Sequence, residues 1–222
     1  CAVHGGEVRV MLGAQLLMGA QAGNLPLLDT YGSAAVAYSL RQLKLGITNV
    51  VRVRRSTDNL ELDFTATQVS DGSLASWVGA SANGYVTTLY DQSGNSRNAT
   101  QTTAARQPLI VSNGSLLVAN GQPRIYFGPS GYIYLSVQSP PAIDNNTMIF
   151  ALIKPDSGSS LAGFISYNSS PSDNPEIRIG LQTNNISVYY GGAYLLNGGY
   201  SLSTNYAIWT LTLTPGIVTT LY

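Results

Sequence analysis

From Val50 to Arg55 the chain reads Val-Val-Arg-Val-Arg-Arg, an alternation that predicts a strand with one dry and one wet face. Short segments of similar character follow: YVTTLYD from Tyr85, QPLIV from Gln107, PRIYF from Pro123, YIYLSV from Tyr132 and TMIFALIK from Thr147. LAGFISY, EIRIGL, ISVYYG, YAIWTLTLT and IVTTLY complete the series. The separators are SGN, SNG, NG, GPSG, SPP, DSGSS, PSDNP and GG, all residues that supply turns. Many short strands at this spacing predict an all-β chain, an antiparallel β-sandwich or jelly roll. TMIFALIK is apolar throughout and is expected in the centre of a sheet. Trp209, Leu211 and Leu213 are expected to point inward, with threonines between them pointing outward.

Two segments break the period of two. Ser33–Lys44 is rich in helix formers and is followed by Gly46, which predicts a short N-terminal helix of about three turns. Asp29 or Ser33 would cap it, and Val36, Leu40 and Leu43 would face a sheet. LASWVGA predicts one further helical turn. Residues 1–26 have no clear period and are expected to form an arm or linker. Residues 27–222 are expected to form one sandwich domain. Its last strand, running to Tyr222, is completed by the arm or a partner chain, or by sequence beyond it.

Composition narrows the function classes. Hydrophobic residues make up 44%, enough for a core, whereas charged residues make up only 10%. A surface of hydroxyls, amides and tyrosines (14 of them) fits an extracellular or virion location. Acidic and basic residues balance at 11 each, so no field favours nucleic acid. Arg52, Arg54 and Arg55 are expected to pair with Asp58, Glu61 and Asp63. The apolar patch in the arm is too short to span a bilayer, where about 20 residues are needed. Cys1 is the only cysteine and His4 the only histidine, which excludes an intrachain disulfide and argues against a Ser-His-Asp triad. No Asp-x-Asp cluster suggests calcium, so no metal and no cofactor are expected.

Carboxylates are the remaining candidates for chemistry, since two of them suffice for glycoside hydrolysis. Most lie in turn sequences, where Asp caps backbone N–H groups. Asp91 at the end of YVTTLYD and Glu176 at the start of EIRIGL are the exceptions. Spacing leaves open whether they meet.

The segments AAVAYSLRQL, VRVRRSTDNLELDF, VTTLYDQSGNSRNATQ, QPLIVSNG and NGQPRIYF, in this order between Leu27 and Phe127, resemble the catalytic domain of α-L-arabinofuranosidase B, a glycoside hydrolase family 54 domain. The block also resembles one carried by phage structural and bacterial surface proteins. The resemblance implies a concanavalin/laminin-G-like sandwich. In the enzymes a Glu opening a strand is the nucleophile and an Asp in a Gly-Gly-Asp-Asn segment is the acid. Glu176 is the position nearest to the first, and the second has no counterpart. The expectation is therefore a non-enzymatic exterior module, with a furanosidase-like hydrolase using Glu176 as the alternative. Its expected partners are other copies of itself, neighbouring virion or surface proteins, and cell-surface glycans. Candidate glycan contacts are Tyr90, Asp91, Gln92 and Asn95, with Tyr189, Tyr190 and Tyr194 of YYGGAY. Within YDQSGN, Asp91 is expected to cap the turn and to serve folding ahead of chemistry.

Overall fold

The computed structural model describes residues 25–32, 34–128, 133–141 and 148–153, and beyond these only the backbone of the strands named below; side chains are described as far as residue 152. The chain divides into two compact units. One runs to Tyr126 and takes back Leu135–Gln138; the other comprises Phe127–Tyr134 and Ser139–Tyr222. The described residues are mostly antiparallel strands with a few short helices, an all-β architecture.

In the first unit, β1 (Asn49–Arg55) lies between β2 (Glu61–Thr65) and β3 (Gly84–Leu89). The alternation seen in the sequence sets the register. Val53 faces Val86 across the ladder, while Arg52 faces Asp63 and Arg54 faces Glu61. The second edge of β3 is shared. Thr88 and Leu89 pair with β4 (Ala99–Thr100), and Gly84 and Tyr85 pair with β5 (Leu109–Ser112). Two hairpins follow, β5 with β6 (Ser115–Leu116) and β7 (Val118–Ala119) with β8 (Gln122–Pro123). β9 (Ser136–Val137) adds to β4.

Three short helices accompany this sheet: α1 (Leu27–Tyr31), α2 (Ala66–Ser70) and α3 (Ser73–Val78). Thr65 and Gln68 form a reciprocal capping box that starts α2. Val69 from α2 and Leu74 and Val78 from α3 join Val50, Val51, Val53, Phe64, Val86, Ile110 and Val111 in one core. Full burial of each such side chain stabilises by roughly 1.5–3 kcal/mol. Phe64 meets Trp77 edge-on at 5.4 Å between ring centroids, and the Arg55 guanidinium covers Trp77 at 4.9 Å. Gly84 is required by space: a Cβ there would lie 3.0–3.1 Å from Val78, Val111 and Val53.

The second unit contains a four-stranded meander, β11 (Leu161–Tyr167), β12 (Ile177–Gln182), β13 (Asn185–Tyr190) and β14 (Ala193–Ser201). A three-stranded sheet has the order β10 (Met148–Ile153), β15 (Ala207–Thr214), β16 (Ile217–Thr219).

Two expectations are corrected. No helix forms over the described part of Ser33–Lys44: α1 ends at Tyr31 with Gly32 as its C-cap, and Ala34–Lys44 is irregular, with Ser33 outside the described residues. Its peptide groups bond instead to side chains of the 91–97 loop, and such tertiary partners override a helix propensity worth only tenths of a kcal/mol per residue. TMIFALIK is not central either. β10 pairs with β15 alone among the described residues and leaves Met148, Phe150 and Leu152 exposed.

Candidate functional site

The polar run after β3 folds inward. Asp91 and Gln92 are buried, at 6% and 0% exposure, although their types favour water. Burying them is tolerable only if each polar atom finds a partner. Asp91 Oδ1 accepts from the backbone N–H groups of Ala37 and Ser93, each at 2.9 Å. Asp91 Oδ2 accepts from Ser93 Oγ at 2.7 Å and from the Arg97 N–H at 3.0 Å. The bond to Ser93 is the Asx turn expected for Asp91, and the bond to Ala37 reaches a segment more than fifty residues earlier. Burial pushes the Asp91 pKa up, but the hydrogen bonds from Ser93, Ala37 and Arg97 outweigh it and hold the carboxyl below its usual value.

Gln92 performs the complementary task. Its Oε1 accepts from the Leu43 N–H at 2.7 Å, and its Nε2 donates to the Ser39 and Arg41 carbonyls at 2.8 and 2.9 Å. The Gln92 N–H donates to the Ala37 carbonyl at 2.8 Å. Asn95 Nδ2 donates to the Ala34 and Ala35 carbonyls and to Ser93 Oγ. The Arg97 guanidinium reaches the Ala35 carbonyl, and Tyr38 O–H donates to the Arg97 carbonyl. Burial, followed by the nearby Asp91 charge, pushes the Tyr38 hydroxyl up to about 12. The loop is therefore a polar clamp that grips the Ala34–Leu43 strap through amide and carboxylate side chains.

Tyr90 belongs to a different neighbourhood. Its O–H donates to Asp63 Oδ1 at 2.7 Å, and burial followed by this bond pushes its pKa up to about 12. Asp63 also receives a two-bonded Arg52 at 2.6 and 3.0 Å. The expected pairing of Arg55 with Asp58 is present at 2.6 Å. Arg54 instead bonds Gln107 and Asn59 and lies over the Tyr85 ring at 4.9 Å. The other described carboxylates are also engaged: Asp29 by the Leu45 N–H, Glu61 by Thr87 Oγ1 and Asp71 by the Ser73 N–H.

In the second unit the register pairs Tyr189 with Arg178 on β12 and with Tyr194 on β14, and Tyr190 with Ala193. Glu176 lies outside the described residues. The structure thus gathers Asp91, Gln92 and Asn95 into one cluster, sets Tyr90 beside Asp63, and puts Tyr189 with Tyr194. Sequence reasoning missed Tyr38, Ser93 and Arg97 as members of the clamp. For Ser93 and Arg97 the signal was a polar run (DQSGNSRN) immediately after a buried strand, which needs nearby peptide groups to satisfy it; Tyr38 carried no such signal.

Among the described residues no group of three or more His, Cys, Asp or Glu side chains could hold a metal, and no helix is long and apolar enough to cross a membrane. A shallow depression is lined by Gln42, Ile47, Thr48, Thr65, Ala66 and Thr67, none of which is a titratable group. No protein-family model, curated protein or solved structure matches the chain.

Proposed function

We propose that this chain is a non-enzymatic module of an exterior surface, built as a jelly-roll or concanavalin-like sandwich and serving in a phage virion as a capsid decoration, head fibre or tail fibre. It acts by self-association and by weak binding of cell-surface glycans. The observation that carries the reading is the internal use of the carboxylates. Asp91, the most chemical position of the shared sequence block, accepts four hydrogen bonds, one from the strap at Ala37 and three from Ser93 and Arg97 of its own loop, so both carboxylate oxygens are committed to holding the fold. Low charge and an apolar row on β10 (Met148, Phe150, Leu152) support association. Because Asp91, Gln92 and Asn95 are engaged, glycan contact is assigned to the paired positions Tyr189 and Tyr194 on β13 and β14, aromatic residues of the kind that stack on sugars.

The test combines light scattering over a concentration series, a glycan array, and release of nitrophenol from an arabinofuranoside. Concentration-dependent assembly that Phe150→Lys weakens, with no turnover, is the expected result. A chain that stays monomeric and cleaves the arabinofuranoside refutes the proposal and puts a hydrolase in its place.

A further inference from the structure

The chain contains Asn-Gly at residues 83–84, 113–114, 120–121 and 197–198. In such pairs the glycine nitrogen can attack the asparagine Cγ, because no Cβ obstructs it and the backbone is unusually free. The N–Cγ bond forms, the Cγ–Nδ2 bond breaks and ammonia leaves with the amide proton. Water then opens the resulting succinimide to aspartate or isoaspartate, and no oxidant or enzyme is needed. Ring closure requires the main chain to rotate away from its native conformation. The rate in the folded protein therefore reports how easily each turn opens.

Three of the four sites are held. Asn83 donates its N–H to Ser56 Oγ at 3.0 Å, accepts the Asn113 N–H at 2.8 Å and donates Nδ2 to Tyr85 Oη at 3.3 Å; Gly84 is wedged among core valines. Asn113 is tied by that same 2.8 Å bond, and the Gly114 N–H donates to the Ala82 carbonyl at 2.7 Å. A Cβ on Gly114 would lie 3.0 Å from Ala80 Cα and Ser81 N, so this turn is pressed against the chain. Asn197 lies within β14, opposite Ser187.

Asn120 shares with Asn113 an exposed position and a positive φ pair, 47° with 74° at Gly121 against 49° with 77° at Gly114, the pair that a type I′ turn demands, and differs in what holds the turn. No atom lies within 4 Å of a Cβ built on Gly121, and its N–H has no hydrogen-bond partner among the described residues. The hairpin is anchored at its base, where Leu117 N–H donates to Ile110 and Arg124 N–H to Leu117, and is open at its tip. Among the described residues β7 and β8 pair only with each other.

We infer that Asn120-Gly121 is a site of spontaneous deamidation and isoaspartate formation, and that the folded protein protects the other Asn-Gly pairs. Each conversion adds a carboxylate to a chain of zero formal net charge, so it is visible on native isoelectric focusing. Isoaspartate also inserts a methylene into the backbone and breaks the two-residue turn.

The experiment incubates the folded protein at mildly alkaline pH, then maps peptides by mass spectrometry with electron-transfer fragmentation to separate aspartate from isoaspartate. A parallel sample is incubated in guanidinium. In the folded protein Asn120 should react at least about tenfold faster than Asn83 or Asn113, the factor set by one backbone hydrogen bond that must open first. In guanidinium the four sites should react at similar rates, and Gly121→Ala should silence Asn120 alone. Asn83, Asn113 or Asn197 keeping pace with Asn120 in the folded protein would overturn the inference. So would an intact Asn120 under conditions in which the unfolded chain deamidates.

Discussion

Replacing Asp91 by Asn tests the clamp with the smallest change of shape. The amide oxygen can still accept from Ala37 and Ser93 at the 2.9 Å positions. The amide nitrogen takes the place of the oxygen that accepted from Ser93 Oγ and the Arg97 N–H. The serine hydroxyl can turn and accept, but the Arg97 N–H cannot, so one donor faces another. A buried donor without a partner costs about 1–3 kcal/mol, and the two retained bonds lose their charge assistance. The expected destabilisation is about 2–3 kcal/mol, lowering the urea midpoint by about 1–2 M at an unchanged slope. Trp77 in a Trp209→Phe background reports on the first unit, where Trp77 packs on Phe64. Amide exchange at Ala37, Ser93 and Arg97 should accelerate before the core valines are affected. Asp91→Ala removes all four acceptor contacts and should cost more than Asp91→Asn. Equal stability of the Asn variant and the parent within about 0.5 kcal/mol, the range of neutral surface changes, would refute the clamp.

Gln92→Leu preserves volume but strands the Leu43 N–H and the Ser39 and Arg41 carbonyls, so it should cost about 2–4 kcal/mol and expose the 34–43 strap to limited proteolysis. Thr65→Ala removes the capping box of α2 and should cost about 1 kcal/mol in a urea titration. The acid limb of stability should come from Asp58, Asp63, Asp71 and Asp91, whose carboxyls are all held below the ordinary aspartate value by hydrogen bonds in the folded protein. For such groups the stabilisation is fully present above the unfolded pKa of about 3.9 and is lost as pH falls through the folded value. Melting temperature should therefore hold steady from neutral pH to about 4 and fall below it, and Asp91→Asn should flatten that fall.

Much of the first unit is local and could be read from its residues. The valine–arginine alternation of β1 set which face was buried, since neighbouring strand residues point to opposite sides whatever lies around them. The Asp58 and Asp71 turns depend on contacts two or three residues away. The Thr65–Gln68 box was equally local and went unread, and α2 with it. Ser33–Lys44 shows the opposite case. Its composition favours a helix, yet its peptide groups bond to side chains some fifty to sixty residues later in the chain. A few tenths of a kcal/mol per residue of propensity cannot compete with a set of buried hydrogen bonds.

YDQSGN carries the same lesson at the level of function. By itself the sequence determined that a strand ends there and that Asp91 caps a turn, because the Asx bond to Ser93 is made within the loop. Only the tertiary structure decided that Asp91, Gln92 and Asn95 face the strap and that Tyr90 turns to Asp63. Folding brought the strap against the loop, and burial then required every polar atom there to find a partner.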